Sequence, residues 1–457
     1  MKKLPLESIR KLLNSNVVLS LLGNGVATVL SLLSFTLQAR WMSTSALGGF
    51  IYLYTIYTLF DTVRTGLMYN ALLQQGAAST SEKGFRRWEG AVWQINLLFS
   101  AVGVLLGTAV VLVGQTWIPI DGKALGWLAL SIMVSIPGNI SSWMLLVRSR
   151  FRPMQIQKVL YPAIMIVILA GMQFRGGITQ EKMMLANLGL TAGLSLLSIG
   201  AGWCLPQSVT RGTLQERKHF YRYGKFSIGA LLGSSLLRNS DIYLLRFFVG
   251  PEAIALYSIP LRLIQIIEVP LRSVVSASIP AIVKAFHHDT PRVLSRMVAR
   301  EAGGLVICLV PVAALGFLLA DYLVVWLAGA QYKAAAPLVR IFMVYSLLLP
   351  LDRYLGVTLD AIGKPKANLI KMFGMLAINV VGDCLALWLF PTPEAVAAVS
   401  IVTFGSGILI GLHHANQHKV PLTLRSIGAQ GLFFVRELLD KGLKKEKAEP
   451  ASSALTK

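Results

Sequence analysis

Charged residues are scarce in this chain. Asp, Glu, Lys and Arg together make up 14% of its 457 residues, whereas soluble proteins average about 25%. Hydrophobic residues make up 54% and the mean hydropathy is +0.63, so a soluble globular class is excluded. The three cysteines, Cys204, Cys308 and Cys384, follow no spaced pattern and indicate no disulfide framework. The composition therefore predicts a polytopic membrane protein.

Sequence motifs for catalysis are missing as well. The chain has no Gly-x4-Gly-Lys-Ser/Thr phosphate loop, which argues against ATP hydrolysis by this chain. The histidines occur as the adjacent pairs His287-His288 and His413-His414, without the spacing of a helical zinc site. The longest predicted outer loop, residues 321–336, is too short to form an external catalytic domain. We therefore expect a transporter with no catalytic residue, no metal and no nucleotide cofactor.

Apolar runs of about 20 residues recur from one end of the chain to the other, and each is long enough to cross a hydrocarbon core of roughly 30 Å. They predict an all-α membrane protein with twelve transmembrane helices. The first run follows a charged segment and lacks a cleavage pattern after it, so we expect it to be the first helix rather than a signal peptide. The predicted spans are residues 16–38, 46–73, 91–113, 124–147, 159–174, 183–204, 226–249, 253–282, 301–320, 337–360, 367–390 and 395–412.

The basic residues are distributed unevenly over this predicted topology. The segments between spans are placed alternately on two sides, and Lys371, near the end of its span, is counted with the adjoining segment. Of the 43 lysines and arginines, 31 then lie on the side of the N-terminus and 5 on the other side. This asymmetry is a strong positive-inside signal, so both termini are predicted to be cytoplasmic. In a soluble protein, the net charge of +22 would suggest nucleic-acid binding. Here topology accounts for it, and we expect no nucleic-acid partner.

The predicted spans form an internal repeat. The starts of helices one to six precede those of helices seven to twelve by 207–213 residues, a nearly constant period. This predicts two six-helix lobes of like orientation around a central cavity, because transporters built from parallel repeats bind substrate between their halves. The predicted parts are an N-terminal lobe (1–206), a cytoplasmic linker (207–225), a C-terminal lobe (226–412), and a cytoplasmic amphipathic segment with a disordered tail (413–457). Within the last part, Val420–Leu443 is predicted to form a helix lying on an anionic leaflet.

Seven arginines lie inside the predicted spans. A charge at the centre of a membrane helix costs about 2.5–3.5 kcal/mol, so such residues usually face a wet cavity. The planar fork of arginine suits bidentate contact with phosphate, and a surplus of arginine over acids predicts an anionic cargo. Arg238 and Arg262 lie nearest the midplane and are the first candidates for binding a phosphate or pyrophosphate head group. The others are Arg64, Arg272 and Arg353, nearer the cytoplasmic ends, and Arg246 and Arg340, nearer the outer ends.

The acidic residues inside the spans leave two interpretations open. Three of them lie one helical turn from an arginine, so each pair can be a simple ion pair or can take part in transport. Asp383 is alone in the eleventh predicted helix, where it can be a protonation site or the partner of an arginine on another helix. The three pairs are Asp61 with Arg64, Asp241 with Arg238, and Glu268 with Arg272.

Four short motifs have counterparts in a known family of transporters. They are Gly48-Gly-Phe50, Asp241-Ile-Tyr-Leu-Leu with a following Gly250, Ala255-Leu-Tyr-Ser-Ile-Pro260 and Asp360-Ala-Ile-Gly-Lys-Pro-Lys366. Through them the chain resembles, over nearly its whole length, the polysaccharide transporters of the multidrug/oligosaccharidyl-lipid/polysaccharide (MOP) exporter superfamily. The resemblance implies a Wzx-type flippase of the bacterial cytoplasmic membrane. Such a flippase moves undecaprenyl-diphosphate-linked sugar repeat units to the periplasmic leaflet by alternating access, for O-antigen, capsule or exopolysaccharide assembly.

The resemblance also implies roles for the buried charges. Cationic residues of the cavity would hold the diphosphate and the sugars; by position these are Arg238 and Arg262, then Arg64, Arg353 and Arg272. Transport would be coupled to a proton or sodium gradient through Asp241, Asp61, Glu268 or Asp383. The expected partners are the lipid-linked glycan, the membrane lipids, and the polysaccharide polymerase and chain-length machinery. The protein itself is expected to be a monomer.

Other functions would leave different features in the sequence. A cation-coupled multidrug exporter of the same superfamily (MATE-like) is the main alternative, and it would present unpaired acids and aromatic residues rather than surplus arginine. Lipid II flippases typically carry arginine in the first helix and usually have two further helices; the predicted first span, residues 16–38, contains no arginine, and two further spans are not predicted. A membrane enzyme acting on the same glycans would need a large outer loop. The charge of the cargo therefore discriminates between the two leading functions.

Overall fold

The computed structural model describes residues 16–77, 81–114, 120–288 and 290–448. These residues form α-helices and short 3₁₀ turns, with no β-strand among them. In chain order the helices are α1 (Asn16–Trp41), α2 (Thr44–Ala77), α3 (Glu82–Val113), α4 (Gly122–Val134), α5 (Ile136–Val147), α6 (Phe151–Phe174), α7 (Gln180–Gly200), α8 (Leu214–Phe248), α9 (Pro251–His288), α10 (Pro291–Leu318), α11 (Ala320–Ala328), α12 (Ala336–Ser346), α13 (Leu349–Ala361), α14 (Pro365–Leu389), α15 (Pro393–Gln417) and α16 (Leu424–Ala448).

Nine helical segments in the described part of the chain are long and apolar enough to cross a membrane. A tenth is formed by Ala330–Ser346 and Leu349–Ala361 if this pair, bent by 41°, is one broken span. The prediction of an all-α membrane protein is therefore confirmed. All twelve predicted spans overlap helices, but α1 and α8 are not among the nine segments. The count of twelve spans and the internal repeat thus stay predictions.

Two of the predicted spans are broken in the middle, each just before a proline. α4 and α5 are separated at Ser135, and Pro137 lies in the first turn of α5. α12 and α13 are separated at residues 347–348, and Pro350 lies in the first turn of α13. Proline has no backbone N–H to donate and its fixed φ suits the first turn of a helix. Each break therefore starts a new helix where the missing donor costs nothing.

The chain divides into two compact units, Met1–Ile242 and Tyr243–Lys457. In the first unit α1 packs along α6, and a buried core includes Met68, Ile95, Ile140 and Trp143. In the second unit α14 packs along α15, and α9 packs on α13. The division falls inside α8, whereas the sequence places the lobe boundary in the loop before it. The predicted lobe limits stay predictions.

The loop that follows α7 is bound tightly to α3. Its 3₁₀ turn, Pro206–Arg211, is held by the buried carboxylate of Glu89, which accepts hydrogen bonds from the Leu205 N–H at 2.7 Å and the Ser208 hydroxyl at 2.9 Å. One turn and a half further along α3, the Gln94 amide donates to the Val209 carbonyl at 2.7 Å. The first part of the predicted linker is therefore packed against the first unit.

The C-terminal helix α16 packs along α10 in the second unit. An ion pair joins Arg300 of α10 to Glu437 of α16 at 2.6 Å. Gly303 and Gly431 bring the two backbones so close that a Cβ on either would overlap the other helix. The sequence predicts an amphipathic helix here lying on the leaflet; the helix is present, and its leaflet contact stays a prediction. The last part of the predicted disordered tail, residues 449–457, lies outside the described residues.

Candidate anion-binding site

The first unit contains a fully buried arginine. Helix α2 places Asp61 and Arg64 on one face, one turn apart, and their side chains form an ion pair. The Arg64 side chain is 0% exposed, and its guanidinium also donates to the Ile132 carbonyl at 3.1 Å and the Ser135 hydroxyl at 2.9 Å. Asn139 donates to the same Asp61 oxygen at 2.7 Å. The break between α4 and α5 supplies these partners, because it exposes a carbonyl and a serine to the guanidinium.

These contacts compensate the buried charge of Arg64, and its role in binding a head group stays a prediction. Of the two interpretations left open for this pair, the geometry favours the ion pair, since the guanidinium is enclosed by protein groups and is not exposed. The Asp61 carboxylate is 28% exposed, so it is the accessible member of the pair. A buried pair of this kind contributes little net stability, but removal of one partner leaves an uncompensated charge.

The second unit brings two arginines to one carboxylate. Helix α9 places Glu268 and Arg272 one turn apart, and they form an ion pair as the spacing predicts. Helix α13 places the guanidinium of Arg353 3.7 Å from the other oxygen of Glu268. Glu268 is 17% exposed, Arg353 36% and Arg272 44%. We call these three residues the Glu268 cluster; it carries one net positive charge and opens to the surface through its arginines.

The arginines of the Glu268 cluster keep unused donors. Within the described part of the chain, the only acidic partner of either Arg272 or Arg353 is Glu268. An arginine carries five N–H groups in a rigid fork that matches phosphate and carboxylate oxygens. The cluster can therefore accept a multiply charged anion, with both guanidiniums turning from the carboxylate toward it.

A buried lysine lies behind the cluster. Lys371 of α14 donates to Asp352 of α13 through both the carboxylate, at 2.6 Å, and the backbone carbonyl, at 3.0 Å. Its side chain is 5% exposed. Asp352 precedes Arg353, so this ion pair fixes the segment of α13 that carries the Arg353 guanidinium. Lys371 is grouped by sequence position with the cytoplasmic basic residues; this prediction is wrong, because the lysine lies inside α14 and is buried. The signal available in the sequence was its position within the predicted span 367–390.

The two arginines ranked first by depth lie elsewhere. Arg238 is on α8 in the first unit and is exposed, and Asp241 one turn later is 7% exposed. Arg262 is on α9 in the second unit, six residues before Glu268, and donates to Gln265 at 3.1 Å. Their role in binding a head group stays a prediction.

Asp383 is completely buried in α14. The amide of Asn379, one turn earlier on the same helix, donates to its carboxylate at 2.7 Å. The sequence left open whether Asp383 is a protonation site or the partner of an arginine. A hydrogen bond from a neutral amide is compatible with either protonation state of the carboxyl group, so this choice stays open.

The fold is shared with transporters of the MOP superfamily. The chain is similar to the lipid II flippase MurJ in its inward closed conformation, with a TM-score of 0.70, 13% identity and coverage of 93% of each chain. It is also similar to a multidrug resistance MATE family transporter of the MOP superfamily in an inward-facing conformation. That match has a TM-score of 0.68 and 12% identity, and it covers 88% of this chain and 98% of the other. The chain therefore has the fold of these transporters.

The family follows from the sequence itself. Residues 13–286, more than half of the chain, match the family described as polysaccharide biosynthesis protein. The chain belongs to this family. Among curated proteins, none matches it significantly. The matched region includes Glu268 and Arg272, whereas Arg353 and Lys371 lie beyond it.

Proposed function

We propose that this protein is a Wzx-type flippase that carries an undecaprenyl-diphosphate-linked oligosaccharide from the cytoplasmic to the periplasmic leaflet. It would serve O-antigen, capsule or exopolysaccharide assembly in a bacterial cytoplasmic membrane. Membership in the polysaccharide biosynthesis family supports a glycan cargo. The observation that carries the proposal is the Glu268 cluster, in which two arginines from different helices share one carboxylate.

The chemistry of a diphosphate fits this cluster. A diphosphate ester presents several oxygens and more than one negative charge, and arginine binds such groups through paired hydrogen bonds. Each charge-assisted bond is worth about 1.5–3 kcal/mol. When the head group enters, its phosphates compete with Glu268 for Arg272 and Arg353. Release of the head group restores the internal ion pairs, so the cluster has a defined state with and without cargo.

The remaining elements of the proposal come from topology and from the other buried charges. Alternating access would move the head group, while the polyprenyl tail stays in the lipid phase. Arg238 and Arg262 would add contacts to the phosphates or sugars, and Arg64 would support the first unit. Proton or sodium coupling would use Asp241, Asp61, Glu268 or Asp383. The distribution of basic residues supports cytoplasmic termini, and the polymerase and chain-length machinery would receive the product from a monomeric flippase.

The test is translocation of a lipid-linked oligosaccharide diphosphate in proteoliposomes. Arg272→Gln and Arg353→Gln should each lower the apparent affinity for the lipid about 10- to 100-fold, because each removes a charge-assisted contact. Arg340→Gln is the matched control, since Arg340 is also a half-exposed arginine of the second unit, paired with Asp321. It should flip the lipid like the parent.

A third variant separates anion binding from a structural ion pair. Glu268→Gln removes the internal competitor and should bind the diphosphate lipid as well as the parent or more tightly. If Glu268→Gln instead loses binding together with both arginine variants, the cluster is a structural ion pair only. Export of cationic dyes by the parent, without movement of the lipid-linked glycan, would favour the MATE-like exporter and overturn the proposal.

A further inference from the structure

A cavity of about 490 Å³ lies at one end of the first unit, where α6 passes into α7. It is lined by Ile168, Gly171 and Met172 of α6, by Arg175 just after it, and by Lys182 of α7. This volume is in the range of small-molecule sites, roughly 300–1,000 Å³. The cavity has an apolar wall and two cations at its rim. The sequence places this end on the periplasmic side of the membrane.

The two cations are not neutralised locally. Lys182 donates to the carbonyl of Gly177 at 2.9 Å, a neutral group. The neighbouring Glu181 is paired with Lys123 at 2.6 Å. Within the described residues, the Arg175 guanidinium forms no ion pair or hydrogen bond. The five charged side chains at this end, Asp121, Lys123, Arg175, Glu181 and Lys182, leave an excess of one positive charge.

The position of these cations is unusual for a membrane protein. Lysine and arginine are depleted on the side opposite the cytoplasm, and only 5 of the 43 basic residues are predicted to lie on that side. Two of the five, Arg175 and Lys182, meet at this one cavity. A turn with positive φ at Gly176 (100°) and Gly177 (89°) folds the chain so that both reach its rim.

The surroundings of the cavity are apolar and open. Val167 is 70% exposed, Phe174 92% and Leu185 67%. On a membrane-spanning helix, exposed side chains of this type contact lipid chains. A Cβ added at Gly171 would meet no atom within 4 Å, so the glycine opens the cavity rather than serving helix packing. The site therefore presents cations beside an apolar surface that continues along α6.

We infer that this cavity binds the head group of an anionic phospholipid of the outer leaflet, with the lipid phosphate between Arg175 and Lys182. Charge complementarity and the adjoining apolar face of α6 favour a lipid over a free anion, because the glycerol and acyl carbons need an apolar path away from the phosphate. The bound lipid supplies the negative charge that neutralises the rim of the cavity. This site is separate from the Glu268 cluster and does not depend on the proposed cargo.

Native mass spectrometry of the detergent-purified full chain with added phosphatidylglycerol tests the inference. The parent should retain a tightly bound phosphatidylglycerol. Arg175→Gln with Lys182→Gln should weaken that binding at least about ten-fold, since charge-assisted contacts are lost. Lys333→Gln is the matched control, because Lys333 is also an exposed basic residue predicted on the outer side, and it should bind like the parent.

A second variant changes the shape of the cavity without changing its charge. Gly171→Leu fills the open space and removes a helix-weakening glycine, so it should fold normally and lose the bound lipid. Retention of phosphatidylglycerol by both the charge variant and Gly171→Leu would overturn the inference. Equal retention of zwitterionic phosphatidylcholine by the parent would also overturn it, as would displacement of the lipid by inorganic phosphate, which would identify a free-anion site.

Discussion

Removal of the Lys371 ammonium tests whether the ion pair of Lys371 with Asp352 positions the Arg353 guanidinium in the Glu268 cluster. Lys371→Met keeps most of the side-chain length and deletes the charge. The Asp352 carboxylate, 14% exposed, then loses its partner at 2.6 Å. Breaking a buried ion pair in this way typically costs about 3–5 kcal/mol, because one charge stays behind without compensation. The nearest arginine along the chain, Arg353, is then attracted to Asp352 and away from Glu268.

Two measurements on one set of variants separate stability from positioning. The free energy of unfolding in detergent should fall by about 3–5 kcal/mol for Lys371→Met, and most of it should return in Lys371→Met with Asp352→Asn, where no buried charge is left unpaired. Binding of the diphosphate lipid should be weakened in Lys371→Met and recovered in the double variant. Lys366→Met, an exposed lysine at the start of the same helix, should change neither quantity.

The outcome that refutes the argument is specific. If Lys371→Met and the double variant lose the same free energy of unfolding, the cost comes from packing and not from an unpaired charge. If both bind the diphosphate lipid like the parent, Arg353 does not depend on this ion pair. A double-mutant cycle over Lys371 and Asp352 gives the coupling energy directly.

Two further substitutions follow from the packing. Arg64→Met should lower the free energy of unfolding by about 3–5 kcal/mol. Arg340→Met breaks a half-exposed ion pair and should lower it by less than about 1 kcal/mol. Thermal unfolding measures both variants, and equal losses would contradict the buried role of Arg64. Gly431→Val should release α16 from α10, since the valine side chain would overlap the backbone of Gly303. Limited proteolysis should then cut within α16. Gly428→Val, with no atom within 4 Å of the added Cβ, should remain as resistant to proteolysis as the parent.

The sequence predicts those ion pairs that form within one helix. Asp61 with Arg64 and Glu268 with Arg272 follow from the i, i+3 and i, i+4 spacing, and both pairs are present. The contact of Arg353 with Glu268 joins residues of different helices, and so does that of Lys371 with Asp352. Helical periodicity carries no information about which faces of two helices meet, so these contacts are found only in the folded chain.

The same limit applies to the C-terminal helix. Its apolar period predicts a helix from Val420 to Leu443, and the structure has one at Leu424–Ala448. Its partner α10 is selected by the fit of Gly303 to Gly431, a complementarity of surfaces that no single segment displays. The membrane depth predicted for Arg238 and Arg262 likewise follows from their position along a helix, whereas burial and pairing depend on the neighbouring helices.

The hydrogen bonds that join Glu89 and Gln94 to residues 205–209 have a consequence for the path of the chain through the bilayer. A buried carboxylate and a partly buried amide that bond to a loop require the start of α3 and that loop to lie at the same face of the membrane. The chain from one to the other must then cross an even number of times. Helices α3, α6 and α7 supply three crossings, so α4 and α5 together count as one. If α3, α6 and α7 each cross the membrane, the broken segment is thereby expected to cross it once, an expectation that does not use the hydropathy of that segment.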